Sequence, residues 1–78
     1  MAILTDTRGK PGEIVLTRGA GPVTVFRCSD GTDRAGTVMP GGLGIIVSVD
    51  KRGWTYVLWS MPCVMGWVPD GQLRKVKT

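Results

Sequence analysis

Apolar and polar residues alternate in several short stretches of this chain, which is the pattern of β-strands that bury one face. The clearest alternation covers residues 43–49, where every odd position is large and apolar and the even positions include the small residues Gly44 and Ser48. We predict that this stretch is the central strand of a sheet. Its odd-numbered side chains, among them Ile45 and Val47, are expected to face the core.

Other short stretches rich in β-branched and aromatic residues lie on both sides of this strand, separated by glycine, proline and aspartate. The predicted strands cover residues 13–17, 23–27, 37–39, 43–49, 54–59, 64–68 and 74–76. Residues 28–36 predict a long polar loop, and residues 70–73 predict one helical turn. Short strands at this spacing favour a small all-β barrel of five to seven strands, with one short helical turn near the C-terminus.

The predicted strands supply a set of apolar side chains for the interior of this barrel. Most of the core is expected to come from Val25, Val38, Ile45, Val47, Val57, Val68 and Val76. Trp59 has the same parity as Val57 and is also expected in the core. For Trp54 and Trp67 two roles stay open, since a large ring can fill core volume or can line a binding groove.

The length of the chain, 78 residues, allows one hydrophobic core and therefore one domain. Residues 1–12 lack apolar periodicity and predict an N-terminal arm, so that the barrel domain covers residues 13–78. The first residues contain no apolar run of the length that a secretory signal or a membrane span requires. We therefore expect a whole gene product that stays in the cytoplasm unless it is carried elsewhere.

The residue inventory argues against catalysis and metal binding. The chain has no histidine, and Cys28 and Cys63 lie far apart, outside the spacing of a zinc site. Without a secretory signal two free, partly buried thiols are expected, with a disulfide as the alternative. Asp30 and Asp33 lack the further ligands of a calcium loop and predict a solvated turn. We expect no enzyme, no cofactor and no metal, the alternative being an active site shared between identical subunits.

The chain is basic, with a net charge of +4 and an isoelectric point of about 9.6. Such a charge allows attraction to nucleic acid, to an anionic polymer or to an acidic protein. The basic residues are spread along the chain, with one small cluster in residues 74–77. This distribution is more typical of a solvated surface than of a nucleic-acid site, so nucleic acid is not the partner we expect.

Four short motifs follow one another in a recognisable order. They are Val23-Thr24-Val25-Phe26-Arg27, Gly36-Thr37-Val38-Met39-Pro40-Gly41, Gly53-Trp54-Thr55-Tyr56-Val57 and Gly66-Trp67-Val68-Pro69. Over residues 23–76 the chain thereby resembles the bacterial Src-homology-3 domain family. The resemblance implies a shallow groove formed by Trp54, Trp67 and Pro69, with Asp30 and Asp33 on the loop above it. The closing turn lacks an aromatic residue and the first strand is not tyrosine-rich, so capture of a proline-rich helix is not expected.

Together these features predict a non-enzymatic protein-binding or assembly module. Its partner is expected to be another protein or copies of itself, and no membrane is expected. Bacteriophages use small barrels of this shape as head, tail or decoration components, which makes a virion component the expected role by analogy of fold. Two alternatives are recognition of a cell-wall peptide by Trp54 and Trp67, and nucleic-acid binding by a small β-barrel.

Overall fold

The computed structural model of this chain describes residues 9–60 and 63–76. This part is all-β except for one 3₁₀ turn, as the sequence predicts. The strands are β1 (Ile14–Thr17), β2 (Val23–Phe26), β3 (Arg34–Val38), β4 (Leu43–Val49), β5 (Trp54–Ser60), β6 (Cys63–Pro69) and β7 (Leu73–Lys75), and the 3₁₀ turn (Asp70–Gln72) lies between β6 and β7. The predicted class, a small all-β barrel with one helical turn near the C-terminus, is confirmed.

The strands form one antiparallel sheet in the order β3-β2-β6-β5-β4-β1-β7, which curls into a half-barrel. The centre of the sheet is its most regular part, because β5 pairs with β6 along its whole length, from Trp54 opposite Pro69 to Ser60 opposite Cys63. The join between β2 and β6 is narrower, with Phe26 opposite Trp67. The outward side chains at the centre of the sheet therefore lie on its most continuously paired strands.

The concave, inner face of the half-barrel holds the core. Its buried apolar residues are Val15, Val23, Val25, Val38, Ile46, Val57, Trp59 and Val68. The predicted core positions Val25, Val38, Val57 and Val68 are confirmed, and so is the burial of Trp59. Each of these five residues has no exposed surface, so the inner face is closely packed.

The prediction that Ile45 and Val47 of the central strand β4 face the core is wrong. Ile45 is 47% exposed and Val47 is 44% exposed, whereas Gly44 and Ile46 are buried. The cause is the close approach of β5, because a Cβ on Gly44 would lie 2.5 Å from Cγ1 of Val57. The inner face at this point has room for a glycine only, and the neighbouring residues Leu43, Ile45 and Val47 face outward. Val49 packs against the core, because the register shifts between Ile46 and Ser48.

Three further predictions need correction. β3 begins at Arg34, inside the predicted loop 28–36, because Arg34 pairs with Phe26 beyond a bulge at Ala35 of β3. Val76 is half-buried and lies outside the core. Cys28 and Cys63 are free, as predicted, but both are exposed rather than partly buried.

Residues 9–12, the end of the predicted arm, contact the sheet. The backbone N–H of Gly12 donates to the carbonyl of Ile46 over 2.8 Å, and the N–H of Lys10 donates to Oε1 of Glu13 over 2.6 Å. The first eight residues of the predicted arm lie outside the described residues.

Candidate binding surface

The convex, outer face of the sheet carries a row of aliphatic side chains that crosses four neighbouring strands. Ile14 on β1 lies opposite Ile45 on β4, Ile45 lies opposite Leu58 on β5, and Leu58 lies opposite Met65 on β6. Leu43 lies one row away on β4, with the same outward parity. We call these five residues the aliphatic patch.

All five members of the aliphatic patch are between 41% and 48% exposed. Side chains of this size and exposure present on the order of 400 Å² of apolar surface, which is in the range of the largest apolar patch on a typical monomeric protein, and such patches are often functional. Each residue sits on a strand that has a neighbouring strand on either side, so the patch is held by backbone hydrogen bonds rather than by loops. The surface is therefore ready-formed for contact with another molecule.

The aliphatic patch borders an open depression of about 470 Å³. The depression is lined by Ile14, Leu43, Gly44, Ile45, Leu58, Trp59, Ser60 and Cys63. Four of these residues belong to the aliphatic patch, and the lining contains no charged side chain. A depression of this kind suits the apolar side chains of a partner better than a polar small molecule.

A cluster of four aromatic side chains occupies the other half of the outer face. The rings of Tyr56 and Trp67, which lie opposite each other on β5 and β6, have centroids 5.0 Å apart at 51°. The rings of Phe26 and Trp54 meet edge to face, with centroids 5.9 Å apart at 84°. We call these residues the aromatic cluster. All four are half-buried, so the rings stabilise one another and still show part of their surface.

The structure brings together part of the groove that the family resemblance implies. Trp54 lies opposite Pro69, and Trp67 lies two residues before Pro69 on β6, opposite Tyr56. The loop 28–33 reaches this corner of the sheet, since a Cβ on Gly31 would lie 3.6 Å from Cη2 of Trp54. Pro69 also lines a second depression, of about 270 Å³, together with Phe26.

The two loop aspartates have different roles in this corner. The carboxylate of Asp30 accepts hydrogen bonds from the hydroxyl of Thr32 over 2.6 Å and from its backbone N–H over 3.0 Å. These hydrogen bonds, with help from the charge of Arg52, lower the pKa of Asp30 below its usual value. Asp33 has a φ of 54° and contributes its backbone carbonyl, which accepts from the N–H of Arg27.

Neither a metal site nor a membrane-spanning helix is found in residues 9–60 and 63–76. In these ranges no three side chains of the metal-ligating types come together. The described helical structure also contains nothing of the length and apolar character that a crossing of a membrane requires.

The aliphatic patch is the part of the surface that sequence reasoning missed. The alternation of apolar residues in β4 predicts that its odd-numbered side chains face the core, although both faces of the strand are apolar. The signal that identifies the outer face is Gly44, because a glycine among large residues marks the side on which a neighbour approaches closely. Here the neighbours are Val57 and Trp59, both of which the sequence places in the core.

Charged residues lie at the two ends of the outer face rather than in its middle. Arg74 on the edge strand β7 lies opposite Leu16, which lies opposite Leu43 of the aliphatic patch. Arg34 on the other edge strand, β3, lies opposite Phe26 of the aromatic cluster. Both arginines are exposed, and we call them the edge arginines.

Comparisons of the chain with protein-family models, with curated proteins and with solved structures find no match. The candidate surface is therefore interpreted from its own geometry and chemistry.

Proposed function

We propose that this chain is a non-enzymatic protein-binding module that docks on its partner through the outer face. The observation that carries the proposal is the aliphatic patch, in which four opposed residues on four strands are each more than two-fifths exposed. Large contiguous apolar surfaces on small proteins are typical of sites that another protein covers. The neighbouring aromatic cluster and the edge arginines add the residue types that are enriched in such interfaces.

The geometry favours a protein over the two alternative ligands. A cell-wall peptide would need the ring faces of Trp54 and Trp67, but each ring already packs against a neighbour in the aromatic cluster. Nucleic acid would need basic side chains across the face that it contacts. The aliphatic patch holds none, and the positive charge lies at the sheet edges and in the turns.

The sequence-based expectations about the larger assembly remain part of this proposal. The module would act in a multi-protein assembly, with a bacteriophage particle as the expected setting and a Src-homology-3-like barrel as the expected relationship. The N-terminal arm would add a second contact with the assembly, because residues 1–12 have too few apolar side chains to form part of the core. Docking through the outer face does not depend on either expectation.

A pair of matched variants tests the proposal in the cells from which the chain comes. Ile45→Lys places a charge in the aliphatic patch, and Met39→Lys makes the same kind of change at a side chain that is 62% exposed outside the patch. We expect the tagged wild-type chain to co-purify in a fixed ratio with a protein that native mass measurement identifies. Ile45→Lys should lose that protein and Met39→Lys should retain it, both variants keeping the circular dichroism of the wild type.

Three outcomes would contradict the proposal. Retention of the same protein by Ile45→Lys would show that the aliphatic patch is not the docking surface. Binding to purified cell wall that Trp54→Ala and Trp67→Ala abolish would favour the wall-peptide alternative. Retention of DNA or RNA at physiological salt, with a salt dependence that weakens when Arg74 and Lys75 are replaced, would favour nucleic acid.

A further inference from the structure

We propose that residues 9–13 form a strap that closes one end of the half-barrel and opens as a unit while the rest of the fold stays intact. The strap is a conformational device of the fold, and it is independent of docking through the outer face. Opening the strap exposes the backbone and the side chain of Ile46, which belongs to the core.

A β-turn gives the strap its shape. The N–H of Glu13 donates to the carbonyl of Lys10 over 3.0 Å, which closes a turn of four residues. Pro11 at the second position and Gly12, with a φ of 94°, at the third are the residues that a type II turn favours. The carboxylate of Glu13 also accepts from the N–H of Lys10 over 2.6 Å. The turn reverses the chain, so that Gly9 comes back against Glu13 and β4.

The strap is attached to the backbone of β4 at Ile46. The N–H of Gly12 donates to the carbonyl of Ile46 over 2.8 Å, and the N–H of Ile46 donates to the carbonyl of Glu13 over 2.9 Å. These bonds continue the pairing of β1 with β4 beyond Ile14 and Ile45. The strap therefore covers the edge of β4 at a point that β1 does not reach.

The backbone of Gly9 lies directly on the side chain of Ile46. A Cβ on Gly9 would collide with Cδ1 of Ile46, and it would lie 3.1 Å from Oε1 of Glu13 and 3.5 Å from Cδ of Lys75. Ile46 is 2% exposed and is packed in the core, so its side chain cannot give way without disturbing its neighbours. A larger residue at position 9 therefore has no room while the strap is closed.

Gly9 also lines a small cavity between the strap and the core. The cavity has a volume of about 10 Å³, and Val15, Thr55 and Leu73 lie in its walls. This volume is at the lower limit for one water molecule, and Val15 and Thr55 are both buried. The strap thus separates buried side chains from solvent at this end of the half-barrel.

The strap closes the core without adding buried side chains to it. Residues 10–12 are exposed, and Gly9 and Glu13 are half-buried. Glu13 connects the strap to β7, since its Oε1 lies 4.0 Å from Nζ of Lys75, but both side chains are more than one third exposed. Exposed hydrogen bonds and ion pairs stabilise a segment less than burial does. Segments of this kind open locally at a lower free energy than global unfolding requires.

Hydrogen exchange of the full-length chain, followed by NMR, tests the proposal. In the wild type we expect the N–H groups of Gly12 and Ile46 to exchange at least about tenfold faster than the slowest N–H groups of β5 and β6. Gly9→Val places a side chain against Ile46 and should hold the strap open. Gly12 and Ile46 should then exchange within about tenfold of the rate of an unfolded peptide, while β5 and β6 remain protected by a factor of about 100 or more. Gly21→Val is the matched control, because nothing lies within 4 Å of a Cβ there.

Gly12→Val releases the strap by a second route, because a β-branched residue does not tolerate the φ of 94° that the turn requires. Gly19→Val is its control, since Gly19 has a φ of 86° in a turn outside the strap and nothing lies within 4 Å of a Cβ there. We expect the N–H of Ile46 to lose protection in Gly12→Val and to keep it in Gly19→Val.

Four results would overturn the proposal. In the wild type, exchange of Ile46 as slow as the slowest N–H groups of β5 and β6 would mean that the strap does not open separately, and this comparison needs no variant to fold. Wild-type protection of Ile46 in both Gly9→Val and Gly12→Val would mean that neither change releases a strap. Loss of protection at Ile46 only together with β5 and β6 would indicate global unfolding. Equal exposure of Ile46 in Gly12→Val and Gly19→Val would indicate general strain.

Discussion

The two faces of this sheet are both apolar, yet they differ in how closely their side chains are packed. On the inner face Val57 and Trp59 have no exposed surface, whereas on the outer face of the same strand Leu58 is 41% exposed. The inner residues are held by neighbours on several strands, and the outer ones only by the strands on which they stand. The comparison shows that apolar character alone does not identify the core of a small barrel.

Two glycines explain why the inner face is the closed one. A Cβ on Gly44 would meet Val57, and a Cβ on Gly66 would lie 2.5 Å from Cγ1 of Val25 and 2.6 Å from the carbonyl oxygen of Phe26. At both points a neighbouring strand or side chain comes closer than any larger residue would allow. The side of the sheet on which the glycines lie therefore becomes the core, and the side chains on the opposite side stay exposed.

Ile45 and Ile46 provide the most direct test of this difference, since they are adjacent residues of the same type on opposite faces. Ile46 is 2% exposed and Ile45 is 47% exposed. We expect Ile46→Ala to lower the free energy of unfolding by about 2–5 kcal/mol, through lost burial and a cavity. Ile45→Ala should lower it by less than about 1 kcal/mol. Urea denaturation of both variants measures the difference.

Equal losses for the two alanine variants would mean that the two faces are equally packed. A larger loss of stability for Ile45→Ala than for Ile46→Ala would show that Ile45 faces the core, as the alternating pattern in β4 predicts. In both cases the aliphatic patch would no longer be a surface available for docking, so the same measurement also bears on the proposed function.

Much of the fold could be predicted because strands, turns and their order depend on local sequence. The turn residues separate the strands, and the bounds of β4 agree with the prediction at both ends. Which face of β4 is buried could not be predicted from the local sequence, since Ile45 and Ile46 are both apolar. It depends on which strand approaches Gly44, and that is decided by tertiary packing.

The candidate site could be predicted only where one pair of strands determines it. Trp54 and Pro69 come together because β5 and β6 form one hairpin-like pair, whose register follows from the motifs in the sequence. The aliphatic patch needs the order of β1, β4, β5 and β6 in the sheet, and β1 is distant from β6 in the sequence. The start of β3 at Arg34 could not be predicted for a related reason, because a bulge at Ala35 of β3 is needed to pair Arg34 with Phe26.

Gly44→Ala should produce the next largest effect, because it adds a methyl group at the point of closest approach on the inner face. The added Cβ would lie 2.9 Å from Cε3 of Trp59 and 3.1 Å from the carbonyl oxygen of Leu58. We expect a loss of about 1–3 kcal/mol in the free energy of unfolding. Gly71→Ala is the control, since nothing lies within 4 Å of a Cβ there. If both variants were equally stable, close approach at Gly44 would not explain the parity of β4.

Asp50→Asn should have the smallest effect, and its dependence on pH is its signature. The carboxylate of Asp50 fixes the turn between β4 and β5, and thereby the register of both faces, by accepting from the backbone N–H of Arg52 over 2.8 Å and of Trp54 over 2.9 Å. Burial raises the pKa of Asp50, but these two donors, the hydroxyl of Ser29 and the charge of Arg52 together outweigh burial, so the pKa lies below its ordinary value of 3.8. Because the pKa of Asp50 is lower in the folded state than in the unfolded state, its ionised carboxylate stabilises the fold at any pH above the unfolded-state pKa. This stabilisation is lost as the pH falls through the folded-state pKa. The wild type should therefore have a higher urea midpoint than Asp50→Asn at pH 7, and this difference in midpoint should narrow as the pH falls below about 4.

Asp33→Asn is the control, because the carboxylate of Asp33 accepts no hydrogen bond from a described residue. A gap for Asp50→Asn that stays constant down to pH 2 would show that the charge of this carboxylate does not hold the turn.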